Sequence, residues 1–183
     1  MNRLKCASLL LILGGSSVGA EEVDLGPTAR LEVWRHARLE ATRTAPDAVL
    51  APFTTDGCSG GMSSAWTTVA RLFPEFAEAH ENQPPWEECC VIHDRAYHLG
   101  GVSSAPEDSY FARLAADEAL ETCVAATANR RGDDLKTLYD LSDAQVTTAY
   151  ELIGKAMFDA VRVGGAPCSG LSWRWGYGWP QCW

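Results

Sequence analysis

The chain has 183 residues, enough for one domain with a substantial core. Its 15 Lys+Arg against 24 Asp+Glu give a formal charge of −9, which argues against nucleic acid as a general partner and against electrostatic attraction to anionic membranes. Beyond the N-terminus, no segment is apolar and long enough to span a bilayer.

The first residues read as a secretory signal. Arg3 and Lys5 charge the start, Leu9-Leu10-Leu11-Ile12-Leu13 is an apolar run too short for a membrane span, and Val18-Gly19-Ala20 offers small residues before Glu21. The expectation is that residues 1–20 are removed and residues 21–183 form the domain, secreted or periplasmic. Removal takes two bases, Arg3 and Lys5, and no acid, leaving 13 against 24, or −11. Cys6 leaves as well. Cys58, Cys89, Cys90, Cys123, Cys168 and Cys182 remain, an even set that reads as three disulfides with fifteen possible pairings.

Residues 28–43 read as a helix started by Pro27-Thr28, with Leu31, Trp34 and Ala37/Ala41 as its apolar side and Pro46 beyond its end. Residues 50–61 form a loop ending in Gly57-Cys58-Ser59-Gly60-Gly61. Its glycines allow the backbone to curl and turn carbonyls inward, although taken alone the loop reads better as an ordinary turn. A short helix follows over 62–73 with Trp66, Val69, Leu72 and Phe73 as core, then a proline-rich connector over 74–85.

The next helix, from Trp86 to His98, follows Pro85 and stops at Gly100-Gly101. Cys90, His93, Asp94 and Tyr97 fall on one of its faces. A core helix would place Leu, Ile or Val there. So much polar chemistry on one stripe is costly unless each group has a partner, so the stripe is a candidate site. Ser104-Ala105-Pro106-Glu107 reads as a capping box opening a long helix to about Ala126, on which Asp117 lies among Tyr110, Leu114, Leu120 and Val124. A polar break at 129–134 follows. Ser142-Asp143-Ala144-Gln145 is a second capping box, opening a helix that carries Val146, Ala149, Tyr150, Ile153, Met157, Ala160 and Val161 and stops at Gly164-Gly165. The tail, Cys168 to Trp183, crowds Trp173, Trp175, Tyr177, Trp179 and Trp183. No strand is evident, and the expected fold is mainly α, one disulfide-stapled helical domain.

Cys89-Cys90-Val91-Ile92-His93-Asp94-Arg95-Ala96-Tyr97 resembles the Cys-Cys-x-x-His-Asp-x-x-Tyr helix of secreted phospholipase A2. Gly57-Cys58-Ser59-Gly60-Gly61 resembles that family's calcium loop, and Asp117 with Cys123 resembles its second long helix. The three pieces stand in the family's order. Ser59 replaces a usual glycine, the stretch from Cys58 to Cys89 is longer than in the venom and pancreatic members, and the tryptophan-rich tail has no counterpart. The resemblance is to a divergent, bacterial-type branch.

The resemblance implies two antiparallel active-site helices and calcium-dependent hydrolysis of a phospholipid acyl ester. His93 would be the general base for water, with Asp117 fixing its tautomer and Tyr97 holding Asp117. Asp94 and the carbonyls of Gly57, Ser59 and Gly61 would bind Ca2+. It also implies the disulfides Cys58–Cys90 and Cys89–Cys123, leaving Cys168 with Cys182. His36, His80 and His98 have no matched role and read as surface residues. The partners are then a phospholipid and, through Trp173, Trp175 and Trp179, a membrane surface, with the tail folding back on the helices as the alternative; a monomer and no nucleic acid are expected. One rival reading is a catalytically silent calcium- or lipid-binding module. Another is a zinc site of Cys89, Cys90 and His93, disfavoured because adjacent cysteines diverge by about 100° on a helix.

Overall fold

The computed structural model describes residues 25–58, 71, 74–79 and 83–183. The signal-like segment, the expected helix core of Trp66, Val69, Leu72 and Phe73, His80, and Ser59 to Gly61 of the glycine loop lie outside the described residues. Among those described, the regular structure is entirely helical: α1 Pro27–Arg43, α2 Pro74–Ala79, α3 Glu87–Leu99, α4 Pro106–Tyr139 and α5 Asp143–Gly164. No helix among them is long and apolar enough to cross a membrane. The six cysteines form Cys58–Cys90, Cys89–Cys123 and Cys168–Cys182, so the two half-cystines of α3 point to different partners and are not available to zinc. Three disulfides belong to an oxidising compartment.

The long helix α4 is the spine; α1, α2, α3 and α5 all pack on it. Proline at its first position costs no hydrogen bond. The capping box expected at Ser104 does not form: Ser103 Oγ instead accepts from the Ala105 N–H at 3.1 Å and donates to Asp108 Oδ2 at 2.8 Å. Nor does α4 end near Ala126. It continues through the polar stretch to Tyr139 because α5 folds back along it and supplies the packing that local composition lacks. Gly132 belongs to that contact: a Cβ there would stand 2.9 Å from Val146 Cγ1. The second capping box forms as expected, with Ser142 Oγ accepting from Gln145 N and Gln145 Oε1 accepting from Ser142 N. Residues 74–79, read as connector, form the short helix α2.

One part of the core joins Trp86, Cys89, Cys90, Leu120, Val124, Val146, Tyr150 and Met157, where α3, α4 and α5 meet. The other gathers Leu39, Tyr97, the Cys168 half-cystine and Trp175, where α1 and the tail meet α3. Here the expected face of α1 is wrong. Leu31 and Trp34 are 57% and 52% exposed, while His36 and Leu39 are buried. The helix docks by polar groups at Glu32 and His36 as much as by Leu39, which an apolar-stripe rule does not see.

The tail explains how α3 can end inside the protein. The last carbonyls of a helix need donors. Gly176 N–H donates to Tyr97 O at 2.6 Å, Gly178 N–H to His98 O at 3.1 Å and Trp179 Nε1–H to Leu99 O at 2.9 Å. Gly100, at positive φ, turns the chain and lies so close to Gly176 that a Cβ would stand 2.7 Å from its Cα. His98 is therefore buried, not superficial; its Nε2–H donates to Ala51 O at 2.9 Å, between the rings of Phe53 and Tyr177. Trp175 is 1% exposed and its indole N–H donates to Ser109 Oγ, so it belongs to the core and is removed from any membrane-facing set. Trp173 and Trp179 are half-buried, and Trp183 is exposed.

Candidate active site

Four residues of the α3 stripe face α4 and a cleft. Cys90 is spent in the disulfide to Cys58, which ties the glycine loop to α3. His93 is 7% exposed, and its Nε2–H donates to Asp117 Oδ1 at 2.9 Å, because an ionised carboxylate only accepts. Tyr97, one turn on, donates its O–H to the same oxygen at 2.7 Å. Its ring lies 4.1 Å from the imidazole, centroid to centroid. Gly165 at the end of α5 makes room for that ring; a Cβ there would stand 2.6 Å from Tyr97 Cε1. His93, Tyr97 and Asp117, chosen from sequence, are thus one hydrogen-bonded group.

Asp117 is fully buried, and burying a carboxylate is costly unless its charge is balanced. Sequence reasoning missed the balancing groups. Arg162 of α5 donates Nη1–H to Asp117 Oδ2 at 3.0 Å and Nη2–H to Glu32 Oε2 at 2.8 Å. Arg113 of α4, itself fully buried, donates Nε–H to the Tyr97 oxygen at 3.0 Å, lies 3.8 Å from Asp117 Oδ2, and pairs through Nη1 with Glu32 Oε1. Its Nη2 bonds the carbonyls of Val161 and Arg162 at 2.6 and 3.0 Å. Two carboxylates and two guanidiniums form a closed ring joining α1, α4 and α5. Burial by itself pushes Glu32 up, but neighbouring His36 and both arginines win and hold it at about 2. Burial pushes the Tyr97 phenol well above its ordinary value, so it stays a proton donor to Asp117. Burial opposes the Arg113 charge, yet Tyr97, Glu32 and Asp117 hold its proton more tightly than usual. The signal available in sequence was Arg113 four residues before Asp117 on the buried face of one helix.

Asp94 lines the same cleft on the side of the 50–58 loop. It is half-buried, and its Oδ2 accepts from Thr55 Oγ1 at 2.5 Å. Burial raises its pKa first, and the charges of Asp56 and Glu87 add to the rise. Gly57 is buried at positive φ against the Glu87 carboxylate, which accepts from the Cys58 N–H at 3.4 Å. Asp56, Gly57, Cys58, His93, Asp94 and Trp173 line one cleft, together with Leu120 and Met157 at its apolar wall. A second hollow of about 320 Å3 adjoins it past Asp56, Asp94, Trp173 and Tyr177.

Hard oxygen donors with surplus negative charge suit a hard divalent cation. Among the described residues no three His, Cys, Asp or Glu side chains gather closely enough to hold a metal by themselves. A site of one carboxylate plus backbone carbonyls is not such a group. Of the expected calcium ligands, Asp94 and Gly57 share the cleft, and Ser59 and Gly61 lie outside the described residues. No family model matches the chain, and no curated protein or solved structure matches it.

Proposed function

We propose that this is an exported, calcium-dependent hydrolase of phospholipid acyl esters, of the phospholipase A2 type. The observation that carries the reading is the buried His93–Asp117 pair opening onto the same cleft as Asp94. Nε2 of His93 is committed to Asp117, so Nδ1 is the nitrogen left for a water. It takes the water's proton as the oxygen attacks the ester carbonyl, and returns that proton to the leaving alcohol. Asp117 stabilises the imidazolium formed in between without taking a proton itself, the role a buried carboxylate has beside a catalytic histidine. Tyr97 keeps Asp117 Oδ1 in place.

Asp94 with the carbonyls of Gly57, Ser59 and Gly61 would hold Ca2+. When bound, the ion supplies the positive charge that polarises the ester carbonyl and balances the oxyanion. Leu120, Met157 and Trp173 give the cleft an apolar wall for an acyl chain. Trp173 is the one tail tryptophan that lines this opening, and it replaces Trp175 as the candidate for lipid contact.

The test is fatty-acid release from phospholipid vesicles in millimolar calcium and in chelator. The expected result is release that requires calcium and falls about 10²–10⁴-fold in His93→Gln with folding retained. Calcium or lipid binding without hydrolysis by the wild type would replace the enzyme with a silent binding module.

A further inference from the structure

We propose that Arg162, held by Glu32 of α1, is a positioning residue for the His93–Asp117 pair, so that the N-terminal helix completes the site from a distance. This rests on the hydrolase reading for its meaning, but not for all of its tests. Asp117 has two oxygens with different duties. Oδ1 receives His93 and Tyr97; Oδ2 receives Arg162 at 3.0 Å and faces Arg113 at 3.8 Å. Without Arg162, a fully buried acceptor loses its hydrogen-bonded cation. The carboxylate then turns toward Arg113, which lies 3.8 Å from Oδ2. That turn withdraws Oδ1 from His93 and leaves the imidazole without its fixed acceptor.

The arrangement needs arginine. One guanidinium spans two carboxylates because its donors form a rigid fork, and it stays charged at any working pH. Glu32 sets the direction of that fork by holding Nη2 at 2.8 Å while Nη1 reaches Asp117. His36, tied to α4 by Nδ1 to Ser109 Oγ at 2.8 Å, places its Nε2 3.6 Å from Glu32 Oε1, close but beyond hydrogen-bond distance. Arg162 does not line the cleft around His93 and Asp94, so it acts through Asp117 and not on the substrate.

The experiment compares wild type, Arg162→Gln, Arg162→Lys, Arg162→Ala and Glu32→Gln. In Arg162→Gln, kcat is expected to fall about 10- to 100-fold, the usual scale for groups that orient a functional residue, with KM little changed. Lysine restores part of kcat, and millimolar guanidinium restores part of the loss in Arg162→Ala. Glu32→Gln lowers kcat in the same way but by less, and the Glu32→Gln/Arg162→Gln double variant loses less than the two effects combined, because both act through one fork. Independently of any activity, the hydrogen-bonded His93 Nε2–H proton is expected to give a downfield NMR line in the wild type, to broaden or move in Arg162→Gln and to return in Arg162→Lys. Arg162→Gln that keeps this line and kcat overturns the proposal. So does a loss of kcat that tracks melting temperature and is restored by neither lysine nor guanidinium. A wild type inactive on phospholipid would overturn the hydrolase reading, and the NMR line would still decide the role of Arg162.

Discussion

His93 and Asp94 are neighbours on one helix, and their surroundings are electrically opposite. Behind His93 the charges balance: the carboxylates of Asp117 and Glu32 are met by the guanidiniums of Arg113 and Arg162. Around Asp94 negative charge accumulates, with Asp56 and Glu87 adding to the effect of burial. The first region is balanced within the protein alone; the second carries surplus negative charge, which on the proposed function a cation would offset. Mutations on the two sides are therefore expected to differ in kind. Those behind His93 cost stability directly, and those around Asp94 alter the response to calcium.

The largest effect is expected from Arg113→Ala. It leaves Glu32 short of one cation and removes the donor to Tyr97, and breaking a buried ion pair from one side costs about 3–5 kcal/mol. Urea unfolding measures this, and a loss below about 1 kcal/mol would mean that water balances the ring and the region is not closed. Next comes Asp94→Asn. On the proposed function the wild type is expected to gain about 2.7 kcal/mol at a calcium concentration of about 100 times Kd, and the variant to lose this gain without losing stability in chelator. A variant that still gains stability from calcium would move the cation away from Asp94.

Acid separates the two regions by sign. Glu32 has a folded-state value of about 2 against an ordinary 4.5, so its contribution is full above about 4.5 and is lost as pH falls toward 2. Burial also depresses His36, and the unfolded chain then takes up that proton first below 6.5, which lowers stability in the same direction. Asp94 is shifted upward, so it works against folding as pH rises through its ordinary range. Thermal melts from about pH 7 to 2 are expected to show a shallower acid limb in Glu32→Gln than in the wild type. The smallest effect is Thr55→Val, which removes the donor to Asp94 Oδ2 and is expected to cost about 1 kcal/mol or less in chelator.

The residues legible in sequence were those whose type contradicts their position. Asp117 on an apolar helix face and His93 on a core stripe were conspicuous because burying them bare is costly. The structure brings them within 2.9 Å. The cysteine pairs also stand as the family resemblance implied. What stayed hidden were groups whose partners are distant in sequence. Glu32 and Arg162 look like surface residues until α1 and α5 meet. His36 and His98 count as polar in any hydropathy pattern, yet they are buried through bonds to Ser109 and Ala51. Residues 129–134 look like a helix end because Gly132 is locally unfavourable, but the same glycine admits Val146. In each case packing between elements decided the outcome, and a single segment carries no record of it.

The span of the charge ring has a kinetic consequence. Contacts close in sequence form first, because closing a long loop costs chain entropy. Helices α4 and α5 are joined by a short turn, so their pairing is the fast step. Glu32 must find Arg113 and Arg162 across separations of 81 and 130 residues. Refolding of the disulfide-intact chain is therefore expected to regain helical signal before the ring closes, with a native-like hairpin in which Asp117 still lacks the fork that aims it. On the proposed function, catalytic competence would then be the last property to return, and its lag behind far-ultraviolet circular dichroism would time the docking of the first helix.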